Sequence, residues 1–146
     1  MPFIPRIERS IEIHAPVKNV FNILDDAKLG IKWNLPISEI SEITEGTYIV
    51  KSNLGEFSSS RIESIKNEKI SVEIKGGIFS NMGYVLITKG ELTEVMLWGE
   101  FEDVKREKVL VRAAEMLLEG LKSFAEFLEK GGNLDDFDKK QISVDH

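Results

Sequence analysis

The feature that most constrains this chain is a helical run close to its C-terminus, residues 104–130. Leu110, Ala114, Leu117, Leu121, Phe124 and Leu128 recur at alternating steps of four and three, the period of one helix face. A second stripe one residue round, Val109, Ala113, Met116, Gly120, Ser123 and Phe127, keeps the steps with smaller or more flexible residues. Arg112, Glu115, Glu119, Lys122, Glu126 and Lys130 hold the opposite side, with Glu126 and Lys130 spaced for an i,i+4 pair. Asp103 is the expected N-cap and Gly131-Gly132 the expected stop, while Lys105, Arg106 and Lys108 oppose the helix dipole and predict a frayed first turn. At about 1.5 Å per residue the rod is about 40 Å long and crosses a small domain. It must bury its apolar side, so we expect a helix clasped by a curved sheet with a cavity between them. Gly120 costs about 1 kcal/mol relative to alanine inside a helix. It marks either a close approach to a strand or space for a ligand.

The sheet comes from upstream. Ile7, Ile11 and Ile13 alternate with Glu8, Glu12 and His14, a half-buried strand. Ala15-Pro16 ends it, and Val17, Val20, Phe21 and Leu24 follow at helical spacing up to Asp25-Asp26. A second short helix is expected over 27–32, broken near Gly30, and then a turn, Trp33-Asn34-Leu35-Pro36. Strands follow over 37–44, 47–52, 56–65, 69–75, 82–88 and 92–102. The turns between them fall at Glu45-Gly46, Asn53-Leu54-Gly55, Lys66-Asn67-Glu68, Gly76-Gly77 and Lys89-Gly90. Hairpin-linked strands with helices only towards the two ends of the chain make the class α+β, with an antiparallel sheet.

Size and charge narrow the function. One domain fits 146 residues, and the net charge of −6 argues against a nucleic-acid surface. The chain has no cysteine, which excludes a disulfide framework and a thiolate zinc site. No apolar run reads as a signal peptide or a membrane span, so a cytoplasmic location without integral membrane association is expected. Histidine occurs only at His14 and His146, so no metal site and no cofactor is expected.

The segment 7–26, Ile-Glu-Arg-Ser-Ile-Glu-Ile-His-Ala-Pro-Val-Lys-Asn-Val-Phe-Asn-Ile-Leu-Asp-Asp, resembles the opening of the START-like (SRPBCC) superfamily. That superfamily includes polyketide cyclases and aromatases, plant pathogenesis-related proteins and lipid-transfer domains. The likeness rests on Ile13, Ala15, Pro16, Val20, Phe21 and Asp25, on Trp33 ahead of Pro36, and on Trp98-Gly-Glu-Phe leading into the long helix. It covers roughly residues 5–131. It implies a helix-grip fold, a seven-stranded antiparallel sheet curved around the C-terminal helix, with an elongated apolar cavity. The domain is thus expected over 1–131, followed by a tail extension over 132–146.

Candidate ligand-binding residues follow from phase. Arg61 shares its strand phase with Phe57, Ser59 and Ile65; facing inward, it would orient a carboxylate or enolate, with Glu100 as counterion. The alternative is that Ile62 marks the inner face and Arg61 is solvated. Glu100 shares a phase with Met96 and Trp98 and is either an inward or cavity-mouth acid or an outer salt-bridge partner. Tyr48 and Tyr84 offer phenols, and Trp33 is a core lid or a gate. The helix is expected to line the cavity with Ala113, Met116, Gly120 and Phe127, with Leu117 and Leu121 nearby. Ser58, Ser59 and Ser60 have no histidine close by in sequence, and no catalytic constellation is visible.

Three functions remain. The first is a carrier or sensor for a small hydrophobic or aromatic molecule, lipid or polyketide-like. The second is an enzyme of the cyclase/dehydratase kind, and the third a protein-interaction module. A cavity with convergent polar groups favours the enzyme, a dry cavity the carrier, and a filled core with an exposed apolar patch the module. The closing hairpin is apolar on both phases, Tyr84 and Leu86 against Val85 and Ile87, then Val95 and Leu97 against Met96 and Trp98. The outer phase therefore needs a cover. The tail with Phe137, Ile142 and Val144, packed on the sheet of its own chain or of a neighbour, or a homodimer contact would supply it.

Overall fold

The computed structural model describes residues 4–53 and 55–139. Leu54 of an expected turn and Ile142, Val144 and His146 of the tail lie outside the described residues. Seven strands form one antiparallel sheet: β1 (Arg6–Ile13), β2 (Ile37–Thr44), β3 (Thr47–Ser52), β4 (Gly55–Ile65), β5 (Lys69–Lys75), β6 (Asn81–Lys89) and β7 (Leu92–Glu100). Their spatial order is β1-β7-β6-β5-β4-β3-β2. Strands β2 to β7 form a meander of adjacent hairpins. The first strand instead pairs with the last, Ile13 opposite Thr93 and Arg6 opposite Glu100. Helix α1 (Val17–Asp25), a 3-10 turn (Ala27–Leu29) and the single turn α2 (Gly30–Trp33) carry the chain from β1 to the far edge.

The long helix α3 spans Glu107–Glu129. Val104–Arg106 is a 3-10 turn rather than its first turn, and the Asp103 side chain caps that turn by accepting from Lys105 N at 3.1 Å. At the other end Gly131 takes a φ of +87°, and the Gly131 and Gly132 N–H groups return to the carbonyls of Leu128 and Phe127. The buried residues of α3 are Leu110, Ala114, Leu118, Gly120, Leu121, Phe124 and Ala125. The inward face thus passes through Leu118 rather than Leu117. Lys122, not Lys130, pairs with Glu126, at 2.8 Å. That carboxylate also accepts from His14 N at 2.8 Å, and Lys122 Nζ donates to Glu12 O. Together these contacts tie α3 to the end of β1. Burial raises the Glu126 carboxyl, but the His14 N–H and the Lys122 ammonium outweigh it and leave the carboxyl below its ordinary value.

Half of the core is solid. Ile13, Val95, Leu97, Leu110, Ala114, Leu121 and Phe124 are fully buried where α3 lies along β1 and β7. Thr93, the buried polar residue there, donates its hydroxyl to Ala15 O at 2.7 Å. The outer phase of the last hairpin, Val85, Ile87, Met96 and Trp98, stays at least partly exposed, with the Arg6 guanidinium 4.6 Å from the Trp98 ring centre. Gly83 makes room for that indole, since a Cβ there would come within 2.7 Å of Trp98 Nε1.

Of the tail's described residues, Phe137 packs on the helix and not over the outer face of the last hairpin. Phe137 sets its ring 5.1 Å from Phe124 and 5.2 Å from Phe127. Lys139 Nζ then donates to the carbonyls of Asn34, at 2.9 Å, and of Ile37. This clip binds the end of α3 to the loop after α2. We expect Phe137→Ala to destabilise the fold by about 1.5–3 kcal/mol, less than a fully buried phenylalanine. Thermal melting checks it, and a chain ending at Gly132 should melt at least as far below the full chain.

Candidate functional site

Because α3 follows β1, the other half of the concave face has no long helix over it. The end of α1, the α2 turn and the loop behind it roof that half instead. Between roof and sheet lies a cavity of about 340 Å³, partly open to solvent. Its floor is Val50 on β3, Phe57 and Ser59 on β4, Ile70, Val72 and Ile74 on β5, and Met82 and Tyr84 on β6. Leu24, Ala27, Gly30 and Trp33 form the roof, and α3 adds Ala113 and Leu117. The period-two pattern of β5 puts three β-branched residues on one face, which is why that strand makes the centre of the floor.

Of the expected site residues, the fold brings Trp33, Tyr48, Arg61, Tyr84, Ala113 and Leu117 to this cavity. Met116, Gly120, Leu121 and Phe127 do not line it. The helix has left the hollow half of the domain after Leu117, Leu121 is packed into the solid core, and Phe127 is held by Phe137. Trp98 and Glu100 are also outside the cavity. The inner phase of β7 is Thr93, Val95, Leu97 and Gly99, which turns both side chains to the convex face. There Glu100 accepts from Asn81 Nδ2 at 3.3 Å, so it is not the counterion of Arg61.

That counterion is Asp25, at the end of α1. Arg61 Nη1 donates to Asp25 Oδ1 at 2.7 Å and Nη2 to the Asp25 carbonyl at 3.0 Å. Ser64 adds its hydroxyl to the same carboxylate oxygen at 3.3 Å. Helix α1 has no basic residue in its own last turn, so the guanidinium also meets the negative end of its dipole. Arg61 does face the cavity, as its phase with Phe57 and Ser59 suggests. Ile65 breaks the pattern because the register with β5 shifts between Arg61 and Glu63. Beyond that bulge Ser64 points inward, while Ile62 and Ile65 are exposed.

The remaining polar groups are spread along the walls. Burial pushes the Tyr84 phenol well above its ordinary value, and its hydroxyl makes no hydrogen bond among the described residues. Burial and then the Glu42 carboxylate raise Tyr48, against the opposing pull of Arg61. Trp33 Nε1, Asn34 Oδ1 and Arg61 Nε are buried without a hydrogen-bond partner among the described residues. Sequence reasoning missed Asp25 as a partner, and also Asn34, Phe79 and Arg106. Asp25 closes the opening motif quoted above, but a helix-end aspartate carries no signal of which strand it will meet. Among the described residues no cluster of His, Cys, Asp or Glu is placed to hold a metal ion. None of their helices is long and apolar enough to cross a membrane.

No protein-family model matches the sequence, and no curated protein matches it. Solved structures do. A START superfamily protein from Mycobacterium smegmatis superposes with a TM-score of 0.77 at 15% identity, over 84% of this chain and 98% of that one. The Zhui aromatase/cyclase from a Streptomyces species gives 0.73 at 17% identity, over 90% and 100%. The Aha1 dimer from Colwellia psychrerythraea gives 0.68 at 18% identity, over 88% and 99%. The chain therefore has the START-like helix-grip fold that its opening segment resembles.

The Arg61–Asp25 pair is only partly solvated, with side chains 24% and 44% exposed. Asp25→Asn, which strands the guanidinium in the wall, should cost about 1–2 kcal/mol, between the surface and buried extremes. Adding Arg61→Met should recover about 1 kcal/mol of that loss, and denaturant titration of the four chains of this double-mutant cycle checks it.

Proposed function

We propose that this protein binds a small, mostly apolar molecule bearing one or two polar oxygens, lipid-like or polyketide-like, as a carrier or sensor. The observation that supports this reading is the cavity of about 340 Å³ with an aliphatic and aromatic floor. Among the described residues, Trp33 Nε1, Asn34 Oδ1 and Arg61 Nε have no hydrogen-bond partner, and all three belong to residues of its wall. A buried polar group without a partner costs roughly 1–3 kcal/mol, which small adjustments toward a ligand oxygen or hydroxyl would offset.

A second reading, a cyclase or dehydratase, is favoured by the polar side chains in the wall and by the aromatase/cyclase among the similar structures. It has less support than binding. Both wall phenols are pushed above their ordinary value, away from the neutral range where proton transfer is efficient, and Asp25 already neutralises Arg61. Among the described residues no histidine lines the cavity. The interaction-module reading calls for a filled core, which this domain lacks in its outer half.

Ala113→Phe places a ring in the cavity from a half-buried helix position. It should weaken binding of an apolar fluorescent probe by about tenfold or more, a loss of at least about 1.4 kcal/mol, while the chain stays folded. Undiminished probe binding by the folded variant would remove this cavity as the site. Native mass spectrometry of the purified protein should show a co-purifying small molecule in the wild type and less of it in the variant.

A further inference from the structure

A second cleft of about 280 Å³ adjoins the cavity at its mouth. The two share Ile74, Gly76, Gly77, Ile78, Phe79 and Arg106, so an apolar interior and a polar vestibule meet along this one wall. The walls that belong to the vestibule alone are Ser80, Glu102 and Asp103. Phe79 stands at the junction, buried against β7. Gly99 permits that approach, since a Cβ there would lie 2.4 Å from the Phe79 ring.

The two arginines of the cavity wall differ in one respect. Arg61 is neutralised by Asp25, whereas Arg106 is exposed to solvent and its guanidinium makes no ion pair or hydrogen bond among the described residues. From this contrast we infer that the ligand is a single-chain amphipath with a small monoanionic head of the carboxylate class. Its chain lies in the cavity and its head at Arg106. The inference rests on the cavity being a ligand site.

Charge and length both fit such a molecule. Arg106 is the one charged side chain at the junction itself, and a carboxylate there gains a charge-assisted contact. The Asp103 carboxylate is turned to the Lys105 N–H, and Glu102 lines only the vestibule. Both acids repel an anionic head, the more strongly the greater its charge, which limits the head to a single charge seated at Arg106. Gly76 packs beside Phe57, which puts the mouth level with that residue of β4. Arg61 lies four positions further along the strand, about 13 Å at strand spacing. An extended chain of that length spans the apolar floor from the junction to the level of Arg61.

The test is calorimetric binding of three probes with one chain length, decanoate, decanol and decylammonium, at neutral pH. Decanoate should bind about fivefold tighter than decanol, the upper range for a solvent-facing ion pair, and decylammonium more weakly than both. Arg106→Gln should abolish the preference for decanoate and leave decanol affinity unchanged, and Glu102→Gln should raise decanoate affinity about twofold. Decanol binding as tightly as decanoate, or a preference that survives Arg106→Gln, overturns the carboxylate assignment and leaves the cavity reading standing. Absence of binding by all three overturns both.

Discussion

The architecture depends on how α3 lies against β1. Glu126 and Lys122 grip the end of that strand, and the Leu110, Ala114, Leu121 and Phe124 side chains fill the space above β1 and β7. A curved seven-stranded sheet is wider than one helix, so alignment with one edge leaves the concave face of β2 to β5 without a partner of equal size. The short α1–α2 connection roofs that face without filling it. The cavity is thus a geometric remainder of helix placement, and its apolar lining is the inner phase of ordinary half-buried strands.

Most of the fold is legible in the residues because its signals are periodic. The steps along α3, the clean alternation of Ile70, Val72 and Ile74, and the glycine-bearing turns each name an element without knowledge of its neighbours. The site is less legible, because its composition depends on three things that periodicity omits. The first is the rotation of α3, which puts Leu118 in the solid core, leaves Leu117 at the cavity and takes Met116 out of its reach. The second is the bulge in β4, which inverts the phase after Arg61. The third is long-range pairing. Nothing local distinguishes Asp25 from Glu100 as the partner of Arg61, and only the crossing of α1 over the sheet decides it. The last hairpin adds an ambiguity of its own, since both its phases are apolar and phase alone does not choose between Leu97 and Trp98.

The wall of the cavity combines two electrostatic regimes. At the roof, a guanidinium, a carboxylate, a serine hydroxyl and a helix end compensate one another, and little net charge is left to attract an ion. At the mouth, charge is present but solvated. Charge thus stands in water at the mouth, and dipoles line the interior. The wall phenols, raised by burial, contribute dipoles and not protons across the neutral range.

The pairing of the first strand with the last bears on how this domain folds. The β2–β7 meander consists of local hairpins, each closable on its own at small entropic cost, whereas β1 and α3 join partners from opposite ends of the chain. Contacts between such distant segments raise the contact order, and high contact order slows folding. A chain with β1 and α3 detached would leave the concave face that is core and cavity floor open to water as a contiguous apolar surface. Such a surface favours aggregation, and closure of β1 and α3 over the sheet covers it.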